Sequence, residues 1–180
     1  MSTEASAYTP GSNRRSGSSA WFALVGWIVL AGIAGALGGI ASLNARDFYA
    51  TVVKPDWAPP GWLFGPVWSA LYVSMGIAAW LVWRERPAGA DELHARKRGL
   101  QLFVLQLVFN ALWTWLFFAW RLGALAFVEI VVMWIMIAVT IWQFARVCQW
   151  AAWCMVPYIA WVSFAAALTW AVWHLNPGLL

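Results

Sequence analysis

Five long stretches of this chain are almost free of charged side chains, and they limit its fold more than any other feature of the sequence. The stretches cover residues 16–45, 57–83, 99–120, 122–145 and 147–180, and the fourth contains one charge, Glu129. A helix that crosses a bilayer needs about 20 mostly apolar residues. Because hydrocarbon offers the backbone no hydrogen-bond partner, such stretches should be helices. The sequence therefore predicts an all-α integral membrane protein, a bundle of five transmembrane helices.

The composition and the spacing of these stretches set the domain boundaries. Charged residues make up 10% of the chain, against about 25% in a soluble domain, which excludes a soluble fold. Residues 20–180 are predicted to form one membrane domain, and residues 1–19, rich in Ser, Gly and Thr, a disordered tail. The predicted spans lie at about residues 21–43, 64–84, 98–119, 122–146 and 150–174.

The formal net charge of +4 lies mostly in short segments between the predicted spans, where it indicates topology rather than nucleic-acid binding. Eight Lys and Arg residues fall on the N-terminal side of the membrane and three on the opposite side. The eight are Arg14, Arg15, Arg84, Arg86, Arg96, Lys97, Arg98 and Arg146, and the three are Arg46, Lys54 and Arg121. Since positively charged loops stay in the cytoplasm, the N-terminus is predicted to be cytoplasmic and the C-terminus outside.

Polar and aromatic residues recur at helical spacing on one face of three predicted spans. The faces are Trp68, Tyr72, Met75 and Ala79 in the second span, Gln106, Asn110, Trp113 and Phe117 in the third, and Tyr158, Trp161, Ala165 and Leu168 in the fifth. An aromatic lining with a few hydrogen-bonding groups is typical of a small-molecule pocket. Asn and Gln also join packed helices where no ligand binds, so the pattern alone leaves both interpretations open.

Three further features of the predicted spans each carry a hypothesis. Glu129 lies where a charge is costly, and it is either a site or proton-relay acid or a group that hydrogen-bonds to another helix. Gly35 and Gly39 form a GxxxG pattern, which favours close helix packing or dimerisation. Cys148 and Cys154 lack the spacing of metal ligands, so no metal site is predicted.

Three separate segments of the chain resemble a known family. They read KPDWAPPGWLFGPVW at residues 54–68, QLVFNALW at 106–113 and PYIAWVSFAAAL at 157–168. In this order and spacing they are similar to the signature segments of the TspO/MBR family. That family contains the tryptophan-rich sensory proteins and the mitochondrial translocator, or peripheral-type benzodiazepine receptor, proteins. The resemblance covers about residues 21–176 and leaves out the N-terminal tail.

The resemblance implies that the first loop is a lid over a central pocket for porphyrins (protoporphyrin IX or a haem-type ring), with no cofactor required. The ligand-binding residues that it implies are Tyr49, Trp57, Pro59, Pro60, Trp68, Asn110 and Trp161. Four prolines between residues 54 and 68 fix the backbone φ, so such a lid loses little entropy on closing. The resemblance also implies a homodimer, for which Gly35 and Gly39 are the candidate face.

These observations leave three hypotheses for the function. The first is a membrane receptor or transport protein for porphyrins and related hydrophobic ligands. The second is a light- and oxygen-dependent porphyrin-degrading enzyme with Trp68 and Trp161 as candidate redox partners. The third is a proton-coupled exporter built around Glu129, a position where family members often have an acid. His94 and His174 lie near no candidate nucleophile, so no conventional catalytic set is predicted.

One departure from the family concerns sterols. Vertebrate members carry a cholesterol-recognition stretch of Leu or Val, then Tyr, then Arg or Lys, whereas residues 168–174 read LTWAVWH here. Trp170 replaces the Tyr and His174 the basic residue, which puts sterol binding in doubt. The missing basic end fits a membrane without sterols, and the chain is predicted to lie in a bacterial cell membrane.

Overall fold

The computed structural model describes residues 17–43 and 45–180. The predicted tail therefore lies outside the described residues up to residue 16, and residues 18 and 19 belong to the first helix. The α-helices are α1 (Ser18–Ala41), α2 (Ala45–Thr51), α3 (Phe64–Arg84), α4 (Ala90–Thr114), α5 (Gly123–Ala145) and α6 (Gln149–Leu175). A 3₁₀ turn, Gly61–Leu63, precedes α3, and a π-helical turn, Trp115–Ala119, continues α4.

Within the described ranges, five helices are long and apolar enough to cross a membrane, namely α1 and α3 to α6. They overlap the five predicted spans, and the predicted all-α membrane bundle is confirmed. The largest difference is at α4, which begins at Ala90 rather than at residue 98. Its first turn carries Asp91 and Glu92, whose carboxylates complement the positive end of the helix dipole.

Arg96 lies in these early turns of α4 and caps the end of α3. Its Nε donates a hydrogen bond to the carbonyl oxygen of Val82 at 3.2 Å, and its Nη2 donates to that of Trp83 at 2.8 Å. The last carbonyl groups of a helix have no partner within the helix itself. Arg96 thus satisfies two of them and fixes α3 to α4 across their short connection.

The five spans form a closed ring in the order α1, α3, α6, α5, α4, and each helix packs against its two ring neighbours. Trp80 of α3 donates its indole N–H to the carbonyl of Ala20 in α1, and Ser74 of α3 donates to that of Cys154 in α6, each at 2.7 Å. The order in space thus differs from the order in the chain. As a consequence, the first and third signature segments, which enter α3 and α6, face each other.

The tightly packed core lies on the side of the ring formed by α4, α5 and α6. Most of the largest fully buried side chains come from these helices, including Phe103, Ile130, Met133, Ile137, Phe144, Met155 and Tyr158. By contrast, 17% of the most apolar 18-residue segment of α1 is buried, against 33–39% of the corresponding segments of the other four spans. The bundle is therefore dense on one side and loosely packed beside α1.

The segment between α1 and α3 folds over this loosely packed side, and residues 45–63 are called the lid below. Phe48 of α2 is buried and meets the rings of Phe117 and Phe118 edge-on, with centroids 6.0 and 6.1 Å apart. Asn176, just after α6, hydrogen-bonds to the backbone of Val53. The lid is thus held by contacts with the end of α4 and the end of α6.

Candidate functional site

A cavity of about 1200 Å³ lies beneath the lid, between α1, α3, α6 and the end of α4. Pockets for drug-sized ligands usually measure roughly 300–1,000 Å³, so this cavity can hold a ligand of several fused rings. Its lining is mostly aromatic rings, small residues and the backbone of the lid, and α5 contributes none of the described lining residues. The cavity therefore occupies the half of the bundle that the dense core leaves free.

The lid closes the cavity with Tyr49, Pro59 and Pro60, which all line it. The Tyr49 hydroxyl donates a hydrogen bond to the carbonyl oxygen of Pro59 at 3.1 Å. Burial raises the pKa of Tyr49 above its ordinary value, so the hydroxyl stays protonated and remains a donor. The Tyr49 ring also meets Phe64 edge-on at 5.7 Å. These contacts fasten the proline segment of the lid to α2 and to the start of α3.

Two tryptophans from neighbouring helices form the aromatic walls. Trp68 of α3 stacks on Tyr72, with ring centroids 5.6 Å apart and planes inclined by 27°. Trp161 of α6 meets Phe64 edge-on at 5.8 Å. All four rings line the cavity. Such flat surfaces pack well against a planar ligand.

A chain of buried hydrogen bonds lies behind these walls and connects four helices. The Tyr72 hydroxyl of α3 donates to Oδ1 of Asn110 in α4 at 2.5 Å, and Nδ2 of Asn110 donates to the Tyr158 hydroxyl of α6 at 3.2 Å. The Tyr158 hydroxyl in turn lies 3.8 Å from the sulfur of Met133 in α5. Asn110 is 2% exposed and Tyr158 is fully buried, so this chain fixes the positions of the helices around it.

The structure places Asn110 one layer behind the cavity surface. Tyr72 lines the cavity, whereas Asn110 is not among the lining residues. The Tyr72 ring fills the space between Asn110 and the cavity, because its hydroxyl is drawn toward the amide. Asn110 therefore acts on the site by orienting Tyr72, and Tyr72 is the member of the buried chain that a ligand can touch.

Trp57 is the other predicted ligand-binding residue that the structure sets apart from the cavity. Its side chain is 51% exposed, and its ring packs edge-on against Phe164 at 5.7 Å. It does not line the cavity, although its neighbours Ala58 and Pro59 do. Trp57 thus covers the outer surface between the lid and α6.

The two glycines predicted as a dimer face, Gly35 and Gly39, both line the cavity. A Cβ atom on Gly35 would collide with the Tyr72 ring, so this glycine allows α1 and α3 to approach within one chain. A Cβ atom on Gly39 would meet nothing within 4 Å. The homodimer itself stays a prediction.

Glu129 lies in α5 and is not among the described residues that line the cavity. It is 6% exposed, and neither carboxyl oxygen has a hydrogen-bond partner among the residues that the structure describes. The carboxyl group therefore sits in the dense core rather than at the site. Its role as a relay acid stays a hypothesis.

No sequence pattern indicated the π-helical turn that shapes one side of the cavity. The Trp120 amide donates to the carbonyl of Trp115 at 2.8 Å, a bond that spans one residue more than in an α-helix. Phe117 stacks on Trp113 at 5.5 Å with their planes 8° apart, and the following ring, Phe118, lines the cavity. The segment WLFFA is uniformly apolar, so periodicity could not reveal the wider turn.

Lys54 was predicted only as a topology charge, yet it is the one charged side chain among the described residues that line the cavity. Its Nζ donates to the carbonyl oxygens of Tyr49 at 2.5 Å and of Val52 at 3.4 Å, and lies 4.8 Å from the centroid of the Tyr49 ring. The available signal was its position at the start of the proline-rich segment. The site therefore combines aromatic walls with one positive charge at the lid.

The described part of the chain contains no group of three His, Cys, Asp or Glu side chains that could hold a metal ion. His174 is exposed at the end of α6, with Nδ1 2.9 Å from the carbonyl oxygen of Trp170. Its ring lies 4.3 Å from that of Trp170 and 4.4 Å from that of Trp173. The residues that depart from the sterol-recognition pattern thus contact one another and do not line the cavity.

Taken together, the ring of spans, the lid and the aromatic cavity define a five-helix membrane protein with a covered ligand-sized pocket. A sequence model described as the TspO/MBR family matches residues 26–174. The chain therefore belongs to the TspO/MBR family.

Relatives from bacteria and a mammal align with most of the chain. The tryptophan-rich protein TspO of Chlorobaculum tepidum is 39% identical, covering 74% of this chain and 82% of that protein. The protein CrtK of Rhodobacter capsulatus is 37% identical, with coverage of 84% and 91%. The translocator protein of Ovis aries is 34% identical, with coverage of 88% and 92%. Membership of this family makes the chain an integral membrane protein of receptor or transport type.

Proposed function

We propose that this protein binds porphyrins and related flat hydrophobic ligands in the cavity beneath the lid, as a membrane receptor or transport protein. The observation that carries the proposal is a cavity of about 1200 Å³ whose walls are the rings of Trp68, Tyr72 and Trp161. A porphyrin is a rigid plane with two apolar faces. Stacking on aromatic rings and removal from water would both favour its binding there.

Two indole N–H groups at the cavity add support. Trp113 and Trp161 both line the cavity, and the Nε1 atom of each is buried without a hydrogen-bond partner in the described part of the chain. A buried donor without a partner costs free energy, and native proteins rarely leave one unexplained. A ligand with acceptor atoms would supply the missing partner.

The wall formed by α1 suggests how an apolar ligand reaches the site. The residues of α1 at the cavity are mostly small, including Gly32, Gly35, Ala36 and Gly39. A porphyrin partitions into lipid, and small residues leave little side-chain bulk between the lipid and the cavity. Access from the membrane between α1 and α3 is consistent with a transport role, which the name of the Ovis aries relative also suggests.

Titration of the purified protein with protoporphyrin IX in the dark, followed by the shift of its visible absorption, tests this proposal. Trp68→Ala removes a stacking contact of about 0.5–1.5 kcal/mol and further apolar contact, so affinity should fall severalfold to over tenfold. Trp134→Ala is the matched control, because Trp134 lies in α5, outside the cavity lining, and donates to Ser163 at 2.8 Å. An unchanged affinity of Trp68→Ala would place the ligand elsewhere.

The second candidate function is light-dependent porphyrin breakdown. Trp68 and Trp161 are oxidisable rings that both line the cavity, and this placement favours the photochemical hypothesis. In it, the light-excited porphyrin takes one electron from a cavity tryptophan and passes it to dioxygen, and the superoxide that forms oxidises the porphyrin ring. Trp68→Phe or Trp161→Phe would then bind porphyrin nearly normally in the dark but lose breakdown under light. Unchanged breakdown in both variants would exclude the enzyme and leave a binding or carrier protein.

The third hypothesis, an exporter built around Glu129, gains no support from the structure, because the Glu129 carboxyl group does not line the cavity.

A further inference from the structure

We propose that Lys54 makes the cavity selective for flat hydrophobic ligands that carry a carboxylate. This inference rests on the proposed function and names the class of ligand at the same site. The described residues that line the cavity include one positive charge, Lys54, and no Asp or Glu. The lining therefore favours an anionic group over a cationic one.

Among the described residues, the groups that hold the Lys54 ammonium group in place carry no net charge. The carbonyl oxygens of Tyr49 and Val52 accept hydrogen bonds from it, and the Tyr49 ring lies beside it. Carbonyl groups and an aromatic ring orient a cation but carry no net negative charge. An ammonium group has three donors, and the two carbonyls use two of them. With the partners that the structure describes, one N–H of Lys54 remains for a ligand.

The surroundings strengthen the attraction of this group for an anion. The cavity is lined mainly by apolar atoms, so charges within it are less screened than in water. A hydrogen bond between an ammonium and a carboxylate is shorter and stronger than one between neutral groups. A carboxylate next to Lys54 would thus gain more than it would from a lysine on an open surface.

The location of Lys54 also predicts how a ligand would be oriented. Lys54 lies in the lid, whereas Trp68 and Trp161 lie in the membrane-spanning helices α3 and α6. Protoporphyrin IX carries both of its carboxylates on one edge and apolar substituents on the rest of the ring. The acidic edge would lie under the lid near water, with the apolar edge between the tryptophans. A neutral ring of the same size would lack this anchor.

The test compares protoporphyrin IX with its dimethyl ester, which has the same ring and no carboxylate. Each ligand is titrated into the wild-type protein and into Lys54→Gln, in the dark and in the same lipid nanodiscs. The dissociation constant of the ester divided by that of the diacid should be about fivefold to tenfold smaller in Lys54→Gln than in the wild type. The reason is that the diacid alone loses the charged contact. Comparing ratios cancels differences in how the two ligands partition into lipid.

Two further variants secure the interpretation. Lys54→Arg keeps the charge and should keep most of the preference for the diacid. Asp56→Asn also changes a charge in the lid, but Asp56 is exposed and does not line the cavity, so the ratio should be unchanged. If Lys54→Gln is too unstable to titrate, Lys54→Met, which also removes the charge and keeps an unbranched apolar side chain, takes its place in the same comparison.

The outcomes separate this inference from the proposed function. If the wild-type protein binds both ligands and the ratio is the same in Lys54→Gln, the selectivity does not come from Lys54, while porphyrin binding stands. If the wild-type protein binds neither ligand, the proposed function itself fails. A ratio that changes equally in Lys54→Gln and Asp56→Asn would show a general charge effect of the lid and would overturn the role of Lys54.

Discussion

The side chain of Asn176 pairs with both backbone groups of Val53. Its Oδ1 accepts a hydrogen bond from the Val53 amide, and its Nδ2 donates one to the Val53 carbonyl oxygen, each at 2.9 Å. Nδ2 also donates to the carbonyl of Val172 at 2.7 Å. Asn176 is 5% exposed, so one buried amide joins the end of α6 to the middle of the lid.

We expect Asn176→Ala to loosen the lid. The change removes both bonds to Val53, each of which contributes about 0.5–1.5 kcal/mol net, and it leaves the Val53 backbone groups without these partners. Hydrogen exchange of a peptide that covers residues 50–58 should become faster, and the dissociation of a bound porphyrin should speed up severalfold.

Asn176→Asp provides the matched comparison. A carboxylate still accepts from the Val53 amide but cannot donate to the carbonyls of Val53 and Val172. Hydrogen exchange of the peptide that covers residues 50–58 should be faster in Asn176→Asp than in the wild type. It should exceed the rate in Asn176→Ala only if the carboxylate repels the carbonyl oxygens of Val53 and Val172. Wild-type exchange rates in both variants would show that the pairing does not hold the lid.

Asn110→Leu tests the buried chain behind the cavity. The change leaves the hydroxyl groups of Tyr72 and Tyr158 without their shared partner, and each unsatisfied buried group costs about 1–3 kcal/mol. The melting temperature in detergent should fall, and porphyrin affinity should fall with it, because Tyr72 loses its orientation. Ser163→Ala is the control, since Ser163 is exposed and bonds to Trp134 away from the cavity. Equal melting temperatures for the two variants would contradict the importance of this chain.

The spans could be predicted because the membrane imposes a simple requirement on length and charge. Runs almost free of charged residues located all five helices, and Trp68 and Trp161, two predicted ligand-binding residues, lie on the cavity walls. Hydrophobicity could not show which face of a span points inward, because lipid is as apolar as a protein core. Trp134 lies in the middle of α5 and Trp142 in its last turn, yet the two side chains are 39% and 58% exposed.

The sequence also could not show how deep each residue lies within the bundle. Helical periodicity placed Asn110 and Trp113 on one face of α4, and both are buried. It could not show that Tyr72 would stand between Asn110 and the cavity, since that depends on how closely α3 approaches α4. Lys54 was missed for a related reason, because no pattern shows whether a loop residue turns inward beneath its own loop.

The two glycines of α1 should respond differently to the same substitution. In Gly39→Leu the new side chain starts in open space and enters the cavity, so the protein should stay folded while porphyrin affinity falls severalfold. In Gly35→Leu the new side chain meets the Tyr72 ring, so both the melting temperature and the affinity should fall. Similar melting temperatures for the two variants would contradict the packing of α1 against α3.

Gly39→Leu also tests the predicted homodimer. We expect the wild-type protein in detergent to have twice the 20.1 kDa mass of one chain, measured by light scattering with the detergent subtracted. A shift of Gly39→Leu to the monomer mass would place the interface at this part of α1. A variant that stays dimeric would place the interface elsewhere.

The eight-to-three distribution of Lys and Arg predicts a cytoplasmic N-terminus. Five spans put the two termini on opposite sides of the membrane. A reporter that is active only in the cytoplasm should therefore be silent when fused after Leu180 and active when fused before Met1. The reverse result would invert the topology and place the lid on the cytoplasmic side.

The order of the helices in the ring has a mechanical consequence for the lid. The lid connects α1 to α3, which are ring neighbours, and Asn176 ties its middle to α6. Parting α1 from α3 must therefore pull on the same segment that covers the cavity from the water side. If a ligand enters between α1 and α3, as proposed above, its entry and the opening of the lid are therefore coupled. A ligand that parts α1 from α3 on its way in would loosen the lid above it. A ligand that draws the lid inward would hold α1 and α3 more tightly together.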